Sequence, residues 1–92
     1  MAVTRINHFE SKPGSEDKLQ VFLQSVIGII LNCPGVVSCK LLRSVEKHSS
    51  FAIIEKWDSI EAHQRAAKAI PPEKMAEAMA LFAKPPVGEY YQ

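Results

Sequence analysis

Three side chains in this sequence carry groups suited to chemistry on a small aromatic molecule: Asn7, Trp57 and His63. An imidazole has an unperturbed pKa of about 6.5, so His63 can act as a base that deprotonates a phenol. The amide of Asn7 donates and accepts hydrogen bonds, which suits it to hold a phenol or quinone oxygen. The indole of Trp57 offers a flat face for stacking on an aromatic ring. We predict that these three residues are catalytic.

An apolar wall is predicted around these three groups. Side chains alternate along a strand, which places Asn7 on the same face as Phe9. The same alternation pairs Trp57 with Ile53. Small-ligand pockets combine apolar and aromatic walls with a few polar groups. The predicted substrate-binding residues are Phe9, Ile53, Met75, Met79 and Phe82.

Other reactive residue types do not point to a site. His8 and Glu10 share one strand face and offer ligand atoms for a metal, but no CxxC or His-Cys spacing typical of zinc sites occurs. No metal is therefore expected. Ser49 and Ser50 lack a GxSxG elbow, so nucleophilic hydrolysis has no support.

The elements that must position these residues begin with a predicted strand. Residues 2–10 are rich in β-formers and stop at the Lys-Pro-Gly of residues 12–14. Residues 15–31 start with Ser-Glu-Asp and carry apolar residues three and four apart, which predicts an amphipathic helix. Residues 36–45 and 51–57 are rich in Val, Ile, Leu and Phe and are separated by a polar segment, which predicts an antiparallel hairpin.

The second half of the chain is predicted to be mainly helical. Asp58 is expected to cap the second helix, with Glu61 completing a capping box. The prolines at 71–72 end that helix and begin a third, and residues 87–91 form a short closing strand. The order β-α-β-β-α-α-β is typical of an α+β, ferredoxin-like fold with a four-stranded antiparallel sheet. We predict one domain over residues 1–92.

The predicted sheet needs cover on both faces, because its middle strands are apolar at both alternating positions. Helices protect one face, and a second copy of the chain is predicted to protect the other in a homodimer. Eleven basic and ten acidic residues are interleaved with a net charge of +1, so no nucleic-acid partner is expected. No apolar run reaches the roughly 20 residues of a membrane span, and no secretion signal opens the sequence. We expect a cytoplasmic protein with no membrane partner.

Three segments together resemble the antibiotic biosynthesis monooxygenase family: residues 7–14 (NHFESKPG), 33–38 (CPGVVS) and 51–63 (FAIIEKWDSIEAH). The resemblance spans nearly the whole chain. It implies a dimeric α+β barrel made of two four-stranded sheets, with a pocket in each subunit between sheet and helices. Asn7 matches a pocket asparagine of some heme-degrading relatives, and Trp57 matches a tryptophan that lines the cavity in polyketide oxygenases.

The resemblance implies a cofactor-independent monooxygenase that combines O2 with a small aromatic phenol or quinol. His63 stands where such relatives carry a polar or tyrosine pocket residue. Heme-degrading relatives place an iron-ligating histidine further along the helical region, but no histidine follows His63 here, so no heme is expected. Two alternatives stay open: a non-catalytic dimeric module that binds a small ligand, and an acid-base isomerase that uses Glu55 and His63 on the same fold.

Overall fold

The structure is a computed structural model that describes residues 2–92, so Met1 of the predicted domain lies outside the described residues. The predicted order of elements and the α+β class are confirmed. The elements are β1 (Val3–Glu10), α1 (Glu16–Ile30), β2 (Val36–Arg43), β3 (Ser50–Trp57), α2 (Ile60–Ala67), α3 (Pro72–Leu81) and β4 (Val87–Tyr91). No helix in the described part of the chain has the length and apolar character to span a membrane. That residues 1–92 form one domain stays a prediction.

The four strands form one antiparallel sheet in the order β2-β3-β1-β4, which is the ferredoxin-like arrangement. The register of the two central strands sets Arg5 opposite Glu55. On the other side of β1, Tyr90 of β4 also lies opposite Arg5. Because residues directly opposite each other point to the same face, these three side chains are neighbours.

Helix α1 packs an apolar stripe against the sheet. Its buried residues recur every three or four positions, as the helical repeat requires: Leu19, Phe22, Leu23, Val26 and Ile30. Ser15 lies at the N-cap position, but its side chain makes no capping hydrogen bond. Glu16 and Asp17 lie in the first turn, where negative charge favours the helix dipole.

Helix α2 begins one residue later than the sequence predicts. The cap is Ser59, whose hydroxyl accepts a hydrogen bond from the backbone N–H of Ala62 at 3.1 Å. The prediction of Asp58 as the cap is wrong, because the side chain of Ser59 takes that role; the backbone N–H of Asp58 donates to the carbonyl of Gly35 at 2.8 Å. Gly35 has a φ of +90°, and a Cβ there would lie 2.6 Å from the Cβ of Ala62. The start of α2 is therefore fixed against the chain that leads into β2.

The two faces of the sheet are covered differently. We call the face under the helices the inner face; it holds Val3, Arg5, Asn7 and Phe9 of β1 together with their cross-strand partners. The outer face holds Thr4, Ile6 and His8 with their partners. Trp57 and Ile53 on the inner face are 0% and 1% exposed, whereas Leu42 on the outer face is 44% exposed. The three helices cover the inner face alone.

Candidate functional site

A cavity of about 220 Å³ lies between the inner face and the helices. Its walls are mostly apolar side chains from all three helices and from the central strands. Six of the eight predicted site residues line it: Asn7, Phe9, Ile53, His63, Met75 and Phe82. Arg5 and Glu55 line it as well. The sequence thus brings an apolar wall and several polar groups to one place.

Glu55 is the most deeply buried polar group of the cavity, with 2% of its surface exposed. The indole Nε1 of Trp57 donates to its Oε1 at 2.8 Å, and Asn7 Nδ2 donates to its Oε2 at 3.0 Å. Burial raises the pKa of Glu55 above 4.5, while the two hydrogen bonds and the charge of Arg5 act in the opposite direction. The carboxyl group is therefore held in one position by two donors.

His63 lies on α2 with both ring nitrogens near functional groups. Its Nδ1 is 2.6 Å from the Tyr90 hydroxyl, and its Nε2 is 3.8 Å from Oε1 of Glu55. The edge of the ring meets Trp57, with centroids 5.7 Å apart. Burial lowers the pKa of His63 below 6.5, and the charge of Arg5 acts in the same direction. The lowered pKa favours the uncharged imidazole, the form that accepts a proton.

Arg5 and Asn7 form a fixed pair beside this histidine. Arg5 Nε donates to Oδ1 of Asn7 at 3.0 Å, so the Asn7 amide is engaged at both its oxygen and its nitrogen. The guanidinium of Arg5 stacks on the ring of Tyr90, with Cζ 4.6 Å from the centroid. Gly88 of β4 faces the pair, and a Cβ at that position would overlap Oδ1 of Asn7 and Nη2 of Arg5. A glycine in β4 thus makes room for the polar cluster.

Trp57 and Met79 are the two predicted site residues that do not line the cavity. Trp57 is 0% exposed and lies behind His63 and Glu55, because the hydrogen bond to Glu55 holds its indole in the core. Stacking of a substrate on Trp57 has no support in this arrangement. Met79 is 60% exposed and lies beyond the cavity, whereas Met75, one turn earlier on α3, lines it.

The sequence assigns no function to two groups of the polar cluster: Arg5, which lines the cavity, and Tyr90, which contacts His63 and Arg5. Alternation along β1 places Arg5 with Asn7, so its position was visible, but its link to Tyr90 requires the pairing of β4 with β1. The sequence indicates Glu55 only as one member of an acid-base pair with His63. Its contacts with Trp57 and Asn7 depend on side-chain depth, which a pattern of alternation does not specify.

The arrangement can hold a small flat molecule and exchange a proton with it. The walls are mostly apolar, and His63 presents its imidazole to the cavity. Within residues 2–92, no three His, Cys, Asp or Glu side chains are grouped so as to hold a metal ion.

Comparison with known proteins identifies relatives in both sequence and fold. The model of the family described as antibiotic biosynthesis monooxygenase matches residues 2–80. No curated protein matches the chain. The fold is similar to SnoaB, a cofactor-independent oxygenase from Streptomyces nogalater, with a TM-score of 0.84, 22% identity and coverage of 99% of this chain and 91% of that one.

Two further solved structures share the fold. Rv0793 from Mycobacterium tuberculosis has a TM-score of 0.86 and 19% identity, and the match covers 100% of this chain and 94% of that one. Protein SO0527 from Shewanella oneidensis has a TM-score of 0.86 and 22% identity, with coverage of 98% and 88%. At these identities the structural likeness shows the fold alone.

Proposed function

The chain belongs to the antibiotic biosynthesis monooxygenase family, and from this premise we propose that it is a cofactor-independent monooxygenase of a small aromatic phenol or quinol. The observation that carries the proposal is the imidazole of His63 on an apolar cavity, 3.8 Å from the carboxyl group of Glu55. SnoaB, which shares the fold, is a cofactor-independent oxygenase. The substrate and the activity of this chain are the proposed part.

His63 is the proposed base. When Nδ1 donates its hydrogen to the Tyr90 hydroxyl, Nε2 carries a lone pair on the side of Glu55 and accepts the substrate proton. The imidazolium that forms lies 3.8 Å from the Glu55 carboxyl group, whose negative charge would stabilise it. We assign Tyr90 and Glu55 to positioning His63, and Asn7 to positioning Glu55 and Arg5.

The deprotonated substrate supplies the electrons for the reaction. A ring carbon activated by the phenolate bonds to one oxygen atom of O2, and two electrons pass from the substrate to form a hydroperoxide. Loss of water from that hydroperoxide leaves a ring carbonyl, so one oxygen atom enters the product and the other enters water. A phenol plus O2 thus gives a quinone plus water, and the protein contributes a base and a dry cavity.

Oxygen uptake with a panel of phenols and quinols tests this proposal. The wild-type protein should consume O2, and His63→Ala should lower kcat by about 10²- to 10⁴-fold, the usual contribution of a general base. The matched control is His48→Ala, since His48 is an exposed residue of the β2–β3 connection. Labelled dioxygen should place one oxygen atom in the product. Wild-type rates in His63→Ala would contradict the assignment, and ligand binding without turnover would support a binding module instead.

A second candidate function, an acid-base isomerase, is favoured by one contact. Glu55 and His63 are two titratable groups 3.8 Å apart on the same cavity, and their pKa values are shifted toward each other by burial. Such a pair can remove a proton from one atom of a substrate and return it to another. Rearrangement of an enolisable substrate in the absence of O2 would distinguish this function from oxygenation.

We further propose that the protein is a cytoplasmic homodimer joined through the outer face. The apolar side chains of Leu42, Ala52 and Val87 lie in one row across the sheet, in which His8 is the member from β1. Leu42 and Val87 are 44% and 58% exposed in the single chain. A standard interface buries about 800 Å² on each partner, which is an area that a four-stranded face can provide. The expected cover is the same face of a second copy, because symmetric pairs are the commonest oligomers.

A further inference from the structure

One cation in the cavity has no anionic partner in direct contact. Arg5 uses its Nε on Asn7, and among residues 2–92 neither of its terminal nitrogens makes a hydrogen bond. The ion pairs within the described residues do not include Arg5. Glu55 lies opposite Arg5 in the sheet, but its two oxygens accept from Trp57 and Asn7. A half-buried guanidinium thus keeps free donors beside an apolar cavity.

The position of this guanidinium is fixed before any ligand arrives. Asn7 holds Nε, the Tyr90 ring supports one face, and the missing side chain of Gly88 leaves space for Nη2. A charged group that is held without a direct counterion favours an anion that enters the cavity, since charge-assisted hydrogen bonds are stronger in a site with little water. The positive charge also reaches His63, whose pKa it lowers in addition to the effect of burial.

We propose that Arg5 holds the ligand of this cavity as an oxyanion, whether the ligand arrives ionised or loses its proton to His63, with the charged oxygen on the terminal nitrogens of Arg5 and the ring against the apolar wall. The inference rests on the proposed function and deepens it by naming the ionic form of the substrate. The cavity of about 220 Å³ is smaller than the roughly 300 to 1,000 Å³ of pockets for drug-sized ligands. The ligand is therefore an aromatic molecule of one or two rings that carries a phenolate, an enolate or a carboxylate.

Equilibrium binding without dioxygen tests the proposal separately from turnover. The first pair of probes is para-nitrophenol, at a weakly alkaline pH where it is mostly ionised, and its neutral methyl ether, para-nitroanisole. The second pair is benzoate and benzamide. The wild-type protein should bind at least one anion about ten- to hundredfold more tightly than its neutral analogue, the range expected for hydrogen bonds to a charged group. Selectivity in the first pair alone indicates a phenolate, and selectivity in both indicates that a carboxylate is accepted too.

Arg5→Gln should reduce that preference to about one, and Arg5→Lys should retain part of it because the charge remains. The matched control is Arg65→Gln, which removes an exposed arginine of α2 that does not line the cavity and should keep the full preference. The absorbance of bound nitrophenol should also show a larger phenolate fraction in the wild type than in Arg5→Gln. Far-ultraviolet circular dichroism checks that each variant is folded.

Three results would overturn the proposal: equal binding of anion and neutral analogue by the wild type, an undiminished preference in a folded Arg5→Gln, or failure of both anions to bind. None of these depends on oxygen uptake. Selection of anions without O2 consumption would support the oxyanion site and contradict the monooxygenase function. Consumption of O2 without selection of anions would support the monooxygenase function and contradict the oxyanion site.

Discussion

The inner and outer faces of the sheet are built from the same strands but differ in what covers them. Along β1, Arg5 and Asn7 turn inward into a hydrogen-bonded cluster, while Ile6 between them turns outward to a face that no helix covers. The inner face buries a carboxyl group and satisfies it with two donors. The outer face exposes apolar side chains. The comparison teaches that the inner face can bury polar groups because they satisfy one another, whereas exposed apolar residues of the outer face, such as Leu42 and Val87, lie where we propose that a second chain covers them.

The sharpest test of this difference uses the neighbouring residues Leu41 and Leu42, which point to opposite faces. Leu42→Asp should convert the proposed homodimer to a folded single chain, because a charge buried in the interface is costly to desolvate. Light scattering at micromolar concentration measures the mass. Leu41→Asp should instead lower the free energy of unfolding by at least about 2 kcal/mol, since Leu41 packs against the core. A wild-type protein with the mass of one chain would refute the predicted dimer.

Trp57→Phe tests how far the inner face depends on satisfied polar groups. The change removes a hydrogen bond to a buried carboxyl group and leaves a small void, so the free energy of unfolding should fall by about 2 to 4 kcal/mol. Chemical denaturation measures it. In a Glu55→Gln background the cost should be smaller by about 1 kcal/mol or more, because the indole and the carboxyl group interact directly. Strictly additive losses would show that Trp57 acts by filling space alone.

The pH dependence of stability tests the burial of His63. Because the folded pKa lies below 6.5, the unfolded chain binds the proton more tightly. The stability that His63 contributes is present above pH 6.5 and is lost as the pH falls through the lowered pKa. The wild type should therefore lose stability relative to His63→Gln as the pH decreases, as measured by urea denaturation across this range.

Glu55 acts with the opposite sign, since its raised pKa gives stability that is lost as the pH rises above 4.5. That contribution remains in both proteins of the comparison, together with the charge of Arg5 and the hydroxyl of Tyr90, which also face His63. His48→Gln is the control, because His48 is exposed. A stability difference for His63→Gln that does not change with pH would mean that its pKa is not lowered.

The smallest expected effect concerns the cap that orients α2 over the inner face. Ser59→Ala should cost about 1 kcal/mol, because the N–H of Ala62 loses its acceptor. Asp58→Ala should change stability by less than about 0.5 kcal/mol, since Asp58 is an exposed residue and its hydrogen bond to Gly35 uses the backbone. Thermal melts of the two variants compare them directly. An equal loss of stability in both would indicate that Asp58 contributes to the cap as much as Ser59.

The fold was predictable because its signals are local. The apolar stripe of α1 and the proline and glycine breaks are properties of short segments, and they gave the order of elements and the facing of Asn7 and Ile53. The cap of α2 was missed by one residue because Asp58 and Ser59 are both good capping types. An error of one residue in the start of a helix changes the predicted direction of its side chains by about 100°. His63 nonetheless lines the cavity, as predicted.

The polar cluster was less predictable because it depends on contacts between distant segments. Tyr90 meets His63 only when β4 pairs with β1 in the observed register, and the predicted ferredoxin-like order gives the pairing but not the register. Trp57 was placed on the correct face but not at the correct depth, since its partner Glu55 draws the indole into the core. The alternation of side chains along a strand predicts which face of the sheet each one points to. The packing of the helices and of the other strands decides which of them reaches the cavity.

The close approach of Gly35 to Ala62 has a consequence for how this protein can change by mutation. Neither position has room for a larger residue, because even a methyl group on Gly35 would lie 2.6 Å from the Cβ of Ala62. Ala62 cannot gain space from Gly35, which is already the smallest residue, and the φ of +90° at Gly35 strains any other residue there. Ala62 precedes His63 in α2, so drift at this distant turn would move the imidazole. Substitutions that would reposition His63 are thus limited by a glycine that does not itself line the cavity.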